Sequence, residues 1–581
     1  MPASPAEPGP YIERLLIKNY RGISHLELEL EPDLTVLAGR NNAGKSRVIS
    51  ALHLALAGRP ADADDFTAGN EYDPEIDIVI APAPPETETD DEEFGGALTQ
   101  LFEKQPQVLS ETPLRERIGW RTTVTRDTSG VKADWRFLTL DSTTGSWVLR
   151  ASAPSVATRQ RRAFAVDFVN TGRDLRDELG RQGSSIRRVL ADLEVPAEMR
   201  RRLEQDMEEL SGKIMGESAT LKSVGAELQL MHDLVGSVGE PALNALPGNL
   251  DELSRLISID LDTGSGPLPI RLHGAGSRSL SSLQVQGVLY SRRLGQNGGA
   301  VAPTPVTLVE EPEAHLHPQA AMELPELLQN LRGQKIVSTH SAHLVTAVDP
   351  RAIRLIQTRD AATVAVDLGP ADNSATATHR AFRPALHTQE MEKIRRLVER
   401  PFGELLFASS IVLGDGATER GFIPVVLRHS LLHRSHGVAT IDAGSLGNEL
   451  AKAVVKFAAM TNMPCTVFAD SDVAGVAAVA ELRSIAGTFP IRVVWINGSD
   501  EDGNPRPGAI EDMLLSFDKA MCDRVCERVR PGLQGTTMHR LHKIKGSSGR
   551  FLAQELIDSY PSTADWPAPI RALIETVGET S

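Results

Sequence analysis

A glycine-rich loop near the N-terminus has the residue types and spacing of a phosphate-binding site. The loop follows the order GxxxxGK[ST], lies between a strand pattern and a helix pattern, and contains Gly39, Asn41, Asn42, Gly44, Lys45 and Ser46. Glycines let backbone amides turn toward phosphates, and the N-terminus of the following helix adds positive potential. We expect Lys45 to neutralise the β- and γ-phosphates of ATP and Ser46 to donate its hydroxyl oxygen to Mg²⁺.

Two later segments supply groups that ATP hydrolysis needs. The strand pattern at 306–309 ends in Glu310 and Glu311. We expect Glu310 to hold the Mg²⁺ shell and Glu311 to orient or deprotonate the attacking water. A second strand pattern ends in His340, 29 residues after Glu311. An isolated histidine is more often structural, but this order favours contact with the γ-phosphate.

Acidic residues in the last third of the chain are candidates for one metal centre. They follow apolar strand patterns or lie beyond them, and they are Asp415, Glu419, Asp470, Asp472 and Glu511. The carboxyl ends of parallel strands meet at one sheet edge, so these side chains would converge and repel each other unless they bound cations. Oxygen ligands favour Mg²⁺ or Mn²⁺, and two such ions can stabilise both oxygens of an in-line phosphodiester displacement. Each acid taken singly is more often a solvated loop residue, whereas the ordered set favours a metal centre.

The elements that would position these residues predict an α/β protein. Residues 11–40 have a strand–turn–strand pattern, and from residue 405 apolar strand patterns alternate with helix patterns. Between them, residues 174–235 form long charged helical patterns with an apolar stripe. This helical insertion could pack on its own domain or on a second subunit.

Composition limits the possible classes. The net charge of −16 disfavours a protein that only coats DNA, which leaves clustered metal-binding acids or a local basic patch such as 159–162 or 393–396. No apolar run reaches the roughly 18 residues that span a bilayer, and the N-terminus lacks signal-peptide features. We therefore expect a cytoplasmic protein without membrane contact, and its three cysteines are expected to be reduced.

The N-terminal motifs together resemble the ABC ATPases of the SMC/RecF kind. The resemblance is carried by the YRG triplet at 20–22, the loop GRNNAGKS, the block EEPEAHLHP and the sequence STHS. In that family a signature loop of one subunit closes on the ATP of another. Gly276 and Ser277 lie where such a loop would be, so the resemblance implies that they act in trans; a plain Gly/Ser turn is the alternative.

The acidic motifs resemble the Toprim fold, whose pattern is a Glu-Gly-x-Thr-Glu-like turn followed by Asp-x-Asp. Here Asp415 replaces the first glutamate and is one methylene shorter, whereas Glu419, Asp470 and Asp472 match. An ABC ATPase followed by a Toprim domain resembles the OLD (overcoming lysogenization defect) family of nucleases over essentially the whole chain. The family also uses a late lysine near the scissile phosphate, for which Lys543 and Lys545 are candidates; Lys545 is preferred because a Gly/Ser turn is expected directly after it.

The resemblance implies a divalent-metal-dependent DNA endonuclease that binds ATP, forms homodimers or homotetramers and acts in phage defence or DNA processing. A helicase encoded nearby would indicate a Gabija-type pair. The expected ABC ATPase consists of residues 1–173 and 236–375, with a helical, dimerising insertion at 174–235. A linker at 376–404 leads to the Toprim nuclease domain at 405–581.

Two other classes of function remain. An ATP-gated DNA-binding or sensor protein with an inactive Toprim domain is favoured by the shortened Asp415 side chain. A topoisomerase would need an active tyrosine, and the region after residue 405 offers only Tyr560. A bacterial-type primase usually carries a zinc module, which three cysteines without nearby histidines do not support.

Overall fold

The computed structural model describes most of the chain, in ranges separated by gaps. The described residues are 9–56, 59–85, 87, 89–128, 130–141, 143–170, 196–218, 260–262, 267–269, 303–314, 316, 318–359, 362–367, 403–431, 437–498 and 508–579. Only 196–218 of the expected insertion is included. Gly276, Ser277 and residues 376–402 of the expected linker lie outside the described residues.

The N-terminal half mixes strands and helices. Its elements are β1 (Tyr11–Tyr20), β2 (Ile23–Glu29), β3 (Leu34–Ala38), α1 (Lys45–Ala55), β4 (Glu75–Ala81), α2 (Gly96–Phe102), β5 (Gln107–Glu111), β6 (Leu114–Asp127), β7 (Gly130–Phe137), β8 (Thr139–Asp141), β9 (Ser146–Val148), α3 (Thr158–Arg161), β10 (Phe164–Asn170), α4 (Ala197–Glu217), β11 (Asp260–Asp262), β12 (Pro267–Pro269), β13 (Thr304–Glu310), α5 (Pro318–Gln329), β14 (Gln334–Thr339), α6 (Ala342–Thr346), β15 (Ile353–Arg359) and β16 (Ala362–Asp367).

Two six-stranded sheets form the framework of this half. One is antiparallel, with the order β2-β1-β4-β6-β5 and β7 paired to β6. The other has the order β10-β13-β14-β3-β15-β16 and is parallel except for β16. Helix α1 lies between them, because Val48, Ile49 and Leu52 belong to one buried cluster with Ile78 of the first sheet and Leu308 of the second. The parallel sheet brings the ends of β3, β13 and β14 to one edge.

The C-terminal half is a separate parallel sheet surrounded by helices. Its elements are β17 (Ser410–Gly414), α7 (Ala417–Leu431), β18 (Val438–Asp442), α8 (Glu449–Thr461), β19 (Cys465–Ala469), α9 (Val473–Ala486), β20 (Ile491–Trp495), α10 (Ile510–Phe517), α11 (Lys519–Val529), α12 (Thr537–Ser559) and α13 (Ala568–Gly578). The strand order is β18-β17-β19-β20, with every pair parallel. Strands β17 and β19 are buried along their whole length, as their unbroken apolar sequences predict.

The two halves pack on a common hydrophobic core. One buried cluster contains Val36 and Val337 of the larger parallel sheet together with Leu405, Ile411 and Ile441 of the C-terminal half. The short 3₁₀ turn Gly403–Phe407 lies at this junction and leads directly into β17. The larger parallel sheet and the C-terminal sheet therefore share one buried core.

The structure corrects one local prediction. The Gly/Ser segment after Lys545 is not a turn, because α12 continues through it from Thr537 to Ser559. Intrinsic helix propensity disfavours glycine by about 1 kcal/mol, but tertiary packing outweighs it here. In the described residues no helix is long and apolar enough to cross a bilayer. The three cysteines are buried and free.

Candidate functional site

The glycine-rich loop joins β3 to α1 in a conformation that its sequence requires. Gly39 and Gly44 have φ angles of 145° and 113°, and Asn42 has a φ of 63°. A Cβ atom on Gly39 would lie 2.2 Å from the carbonyl oxygen of Ile356, so only glycine fits there. No side chain caps the first turn of α1. Its amides can therefore face a phosphate.

Lys45 is buried at the start of α1 and is held by the loop itself. Its Nζ donates to the carbonyl oxygens of Gly39 at 2.8 Å and Arg40 at 2.9 Å, and it lies 2.8 Å from Nε2 of His340. Burial lowers the pKa of Lys45 to about 8, although the charges of Glu311 and Glu313 oppose this effect. An incoming phosphate would replace these internal partners of the ammonium group.

The ends of β13 and β14 bring the other expected groups to the same place. Glu310 is the last residue of β13, and Glu311 follows it with a φ of 47°. The Glu311 amide donates to the carbonyl oxygen of Ser338 at 3.0 Å, and Oε1 of Glu311 lies 3.2 Å from Nε2 of His340. Burial and then the charge of Lys45 lower the pKa of His340. Lys45, Glu311 and His340 thus form one contact group, while Asn41, Asn42 and Ser46 are exposed beside it.

Glu313 is part of this site and was not predicted from the sequence. Its Oε1 accepts hydrogen bonds from Thr339 Oγ1 and the His340 amide at 2.6 Å each, and from the Ser341 amide at 3.0 Å. The block EEPE already contained the signal, since a third carboxylate two residues after Glu311 can turn back toward the neighbouring strand.

A second group of polar residues lies at the carboxyl edge of the C-terminal sheet. Asp415 follows β17 and accepts a hydrogen bond from the Leu446 amide at 2.7 Å. Asp470 follows β19. Burial and then the charge of Asp415 raise the pKa of Asp470 to about 7. Asp472 caps α9 by accepting from the Gly475 amide at 2.7 Å.

Two buried glutamates, Glu419 and Glu511, lie on helices rather than at strand ends. Together with Asp415, Asp470 and Asp472 they form what we call the acidic group. Glu419 lies in the first turn of α7 and Glu511 in the first turn of α10, with 2% and 0% of their surfaces exposed. Burial, and then the charges of Asp470 and Glu511, raise the pKa of Glu419 to about 7. Oε1 of Glu511 accepts a hydrogen bond from Thr418 Oγ1 at 2.7 Å. Thr418 is completely buried and is a second site residue that was not predicted.

Lys545 approaches this acidic group from α12. Its Nζ lies 3.6 Å from Oε2 of Glu511. Burial would lower the pKa of Lys545, but the charges of Glu511, Glu419 and Asp470 raise it above its ordinary value. The other candidate, Lys543, is exposed on the same helix.

A close helix crossing sets the position of α12. A Cβ on Gly549 would lie 2.2 Å from the carbonyl oxygen of Thr418, and a Cβ on Gly421 would lie 2.9 Å from the amide nitrogen of Arg550. Glycine at both positions lets the backbones of α7 and α12 touch. This contact brings Lys545 close to the buried carboxylates, and it explains the second glycine of the GSSG segment, Gly549.

The acidic group has the chemistry of a cation site but not a preformed coordination sphere. In the described part of the chain, no group of three or more His, Cys, Asp or Glu side chains is arranged so that it could hold a metal ion. However, Glu419 Oε2, Asp470 Oδ1 and Glu511 Oε2 are buried without a hydrogen-bond partner among the described residues. Buried carboxylate oxygens of this kind normally have a hydrogen bond or a cation.

Comparison with known proteins identifies the N-terminal region. Residues 11–93 and 184–345 match the family model described as AAA ATPase domain, which is less than half of the 581 residues. The chain carries an ATPase domain. Since the glycine-rich loop and the Glu310–Glu311 strand end both fall inside the matched residues, this domain is the ATP-binding part of the protein.

Curated relatives match only short parts of the chain. The uncharacterized protein YbjD of Escherichia coli (strain K12) is 29% identical over 182 residues, which cover 31% of this chain and 30% of YbjD. The uncharacterized protein MJECL10 of Methanocaldococcus jannaschii is 46% identical over 48 residues, or 8% of this chain and 22% of that protein. The chain thus spans less than a third of the length of either relative.

Among solved structures, similar chains include heads of SMC proteins. An SMC head bound to the C-terminal winged-helix domain of ScpA has 15% identity and a TM-score of 0.34, covering 61% of this chain and 97% of its own. The SMC head domain of Thermotoga maritima has 15% identity and a TM-score of 0.28, covering 61% and 98%.

Proposed function

We propose that this protein is an ATP-binding, divalent-metal-dependent DNA endonuclease, with an ABC-type ATPase domain and a C-terminal Toprim-type nuclease domain as in the OLD family. The observation that carries the nuclease part is the group of three buried carboxylates, Glu419, Asp470 and Glu511, each with an oxygen that has no hydrogen-bond partner among the described residues, beside the ammonium group of Lys545. A protein that keeps such charges out of water without using them would lose stability for no gain.

A divalent cation would resolve this unfavourable electrostatics. Glu419, Asp470 and Glu511 would be its ligands. Asp415 follows β17, and Asp472 follows β19 two residues after Asp470. Burial raises the pKa of Glu419 and of Asp470 to about 7, and the charges of neighbouring carboxylates act in the same direction. When bound, Mg²⁺ or Mn²⁺ would stabilise the attacking and leaving oxygens of phosphodiester hydrolysis.

Lys545 has a different task in this proposal. Its ammonium group faces the acidic group from α12 without being a metal ligand, because a protonated lysine has no lone pair to donate. It would place a positive charge next to the scissile phosphate. Its charge would act next to Glu511, which is completely buried, whereas the Lys545 side chain itself is 42% exposed.

In the ATPase domain, we propose a role for each residue of the glycine-rich loop and the strand ends. Lys45 would leave the carbonyl oxygens of Gly39 and Arg40 to bind the phosphates, with Ser46 and Glu310 on the Mg²⁺ ion. Glu311 would orient or deprotonate water, and His340 would contact the γ-phosphate. The direct contacts of His340 with Lys45 and Glu311 support this division of roles.

The wider biology is also part of the proposal. DNA is the proposed substrate, the active form is a homodimer or homotetramer, and the setting is phage defence or DNA processing, with a helicase encoded nearby as a candidate partner. On the exposed side of α4, Met199, Leu210 and Ile214 offer an apolar stripe for a subunit contact. Light scattering tests the assembly: a particle of 62.8 kDa with and without ATP would contradict it.

Nicking of supercoiled plasmid tests the nuclease. We expect Mn²⁺-dependent nicking by the wild type and none by Asp470→Ala or Glu511→Gln, with ATP hydrolysis largely retained in both variants. Asp512→Asn is the matched control for Glu511, because Asp512 is the next residue in α10 and is exposed. Nicking by Asp470→Ala at the wild-type rate would contradict the nuclease assignment.

Two observations favour the second candidate, an ATP-gated DNA-binding or sensor protein with an inactive C-terminal domain. The Asp415 carboxylate already accepts the Leu446 amide, and no group of three possible ligands in the described residues could hold a metal ion. If this candidate is correct, Mn²⁺ does not bind to the C-terminal domain and purified protein retards DNA without nicking it. Calorimetric Mn²⁺ titration beside the plasmid assay distinguishes the two.

A further inference from the structure

Glu313 occupies the turn after β13, and its carboxylate points to the end of β14. Donors from the consecutive residues Thr339, His340 and Ser341 converge on its Oε1 atom, at 2.6, 2.6 and 3.0 Å. Its Oε2 atom is buried without a hydrogen-bond partner in the described part of the chain. The Oε1 atom of Glu313 therefore holds the loop formed by residues 339–341.

The loop that Glu313 holds contains the residue at the centre of the ATP site. Nε2 of His340 lies 2.8 Å from Lys45 Nζ and 3.2 Å from Glu311 Oε1. Because Glu313 Oε1 binds the amides of His340 and Ser341, it fixes the main chain on both sides of the His340 α-carbon. The imidazole can then reach only a narrow range of positions.

A second link between the two strand ends runs in the opposite direction. The amide of Glu311 donates to the Ser338 carbonyl oxygen at 3.0 Å, while Glu313 returns to the residues that follow Ser338. The φ of 47° at Glu311 makes the tight turn between these two links possible. A non-glycine residue is disfavoured in this conformation, and the reciprocal hydrogen bonds offset that strain.

The charge of Glu313 needs an explanation, because a triphosphate would bind nearby. The charge of Glu313 acts to raise the pKa of both Lys45 and His340, so the carboxylate lies within electrostatic reach of the phosphate site. Three donors on one oxygen disperse that charge and orient the carboxylate toward residues 339–341. Such a group suits orientation of a loop better than contact with phosphate.

We propose that Glu313 is a positioning residue for ATP hydrolysis, whose Oε1 atom keeps the 339–341 loop in place so that His340 stays in reach of Lys45 and Glu311. Glu313 acts through His340 and does not touch the nucleotide. The inference rests on the ATP-hydrolysis part of the proposed function and extends it to a residue outside the strand-end pair.

Steady-state ATP hydrolysis by Glu313→Ala and Glu313→Gln tests this role. Alanine removes the acceptor, so we expect kcat to fall about 10²-fold with little change in KM, since displacement of a catalytic group by about 1 Å has this effect. Glutamine keeps an oxygen that can accept all three hydrogen bonds and should retain most of the wild-type kcat. Glu326→Ala, at an exposed position of α5, is the control for loss of a carboxylate.

The outcomes separate this inference from the proposed function. Equal loss of kcat in the alanine and glutamine variants would overturn it, because charge rather than the acceptor would matter. A raised KM with an unchanged kcat in Glu313→Ala would overturn it too, as would wild-type hydrolysis. If Glu313→Ala does not fold, the glutamine variant still decides, because loss of its kcat contradicts the role. A wild-type protein that binds ATP without hydrolysing it contradicts the hydrolysis proposal itself.

Discussion

The ammonium group of Lys545 lies 3.6 Å from Oε2 of Glu511, a carboxylate with no exposed surface. The buried partner draws the ammonium group of the partly exposed lysine toward the acidic group. We expect Lys545→Ala to slow plasmid nicking about 10²-fold, because a charge near the transition state is lost.

Metal binding distinguishes this effect from damage to the site. Mn²⁺ affinity should not fall in Lys545→Ala, since the variant loses a cation and not a ligand; calorimetry on metal-free protein measures it. Lys543→Ala, exposed on the same helix, should nick like the wild type. Equal slowing by both substitutions would mean that α12 contributes only general positive charge.

The helix crossing at Gly549 should be sensitive to a single methyl group. A Cβ there would lie 2.2 Å from the Thr418 carbonyl oxygen, so Gly549→Ala must push α7 and α12 apart. We expect a loss of about 1–3 kcal/mol in the free energy of unfolding and slower nicking as Lys545 moves. Denaturant unfolding and the plasmid assay measure the two effects.

Gly546 provides the matched comparison in the same helix. A Cβ there meets nothing within 4 Å, so Gly546→Ala should stabilise the protein by up to about 1 kcal/mol through helix propensity. If Gly549→Ala were as well tolerated as Gly546→Ala, close packing would not be what sets the position of α12.

Substitutions in the glycine-rich loop and at the end of β13 should separate binding from hydrolysis. Lys45→Ala removes the phosphate counter-charge and should abolish or severely weaken ATP binding, measured with a fluorescent ATP analogue. Glu311→Gln should bind ATP normally but hydrolyse it about 10²-fold more slowly. Hydrolysis by Glu311→Gln at the wild-type rate would remove Glu311 from the role of base.

Asp65 should make stability depend on pH in the acid range. Its side chain is buried and accepts hydrogen bonds from Arg59 and Arg21. Burial alone would raise the pKa of Asp65, but the hydrogen bonds from Arg59 and the Asp62 amide outweigh it and lower the pKa below its ordinary value. The stabilisation is therefore complete above the unfolded-state pKa of about 4 and is lost as pH falls through the folded-state pKa.

Denaturant unfolding as a function of pH measures this contribution. Asp65→Asn should be less stable than the wild type at pH 7, by roughly 1–3 kcal/mol because Arg59 keeps Tyr20 and Asp62 as partners, and the gap should narrow below about pH 4. Asp64→Asn, one residue away and exposed, should follow the wild type throughout. A gap that stays constant down to pH 2 would show that the carboxylate charge is not responsible.

The sequence predicted which motifs lie at the sheet edges better than it predicted the helices that carry Glu419, Glu511 and Lys545. Motifs such as GRNNAGKS are local, so the conformation of Gly39 and Gly44 follows from the residues themselves. The strands that end at Glu310 and Asp470 were also predicted, because unbroken apolar runs bounded by polar residues indicate buried parallel strands.

What the sequence could not predict depends on contacts between distant segments. Thr418 and Gly549 are separated by more than a hundred residues, and neither has a local pattern that indicates a helix crossing. The hydrogen bonds of Glu313 to the loop after β14 likewise need the parallel pairing of β13 with β14 before they exist. The antiparallel strand β6 was not predicted because charged residues interrupt its alternation, whereas β7 alternates apolar and charged residues and could have been predicted.

The core shared by Val36, Val337, Leu405 and Ile411 has a consequence for how the protein fails. Two domains joined by a flexible linker would unfold independently, and one activity would persist at temperatures at which the other is lost. Here, heating that loosens the interface uncovers apolar surface on both sides at once, so the two halves should melt cooperatively. ATP hydrolysis and plasmid nicking should then disappear at the same temperature, and a fragment beginning near Gly403 should aggregate rather than work alone.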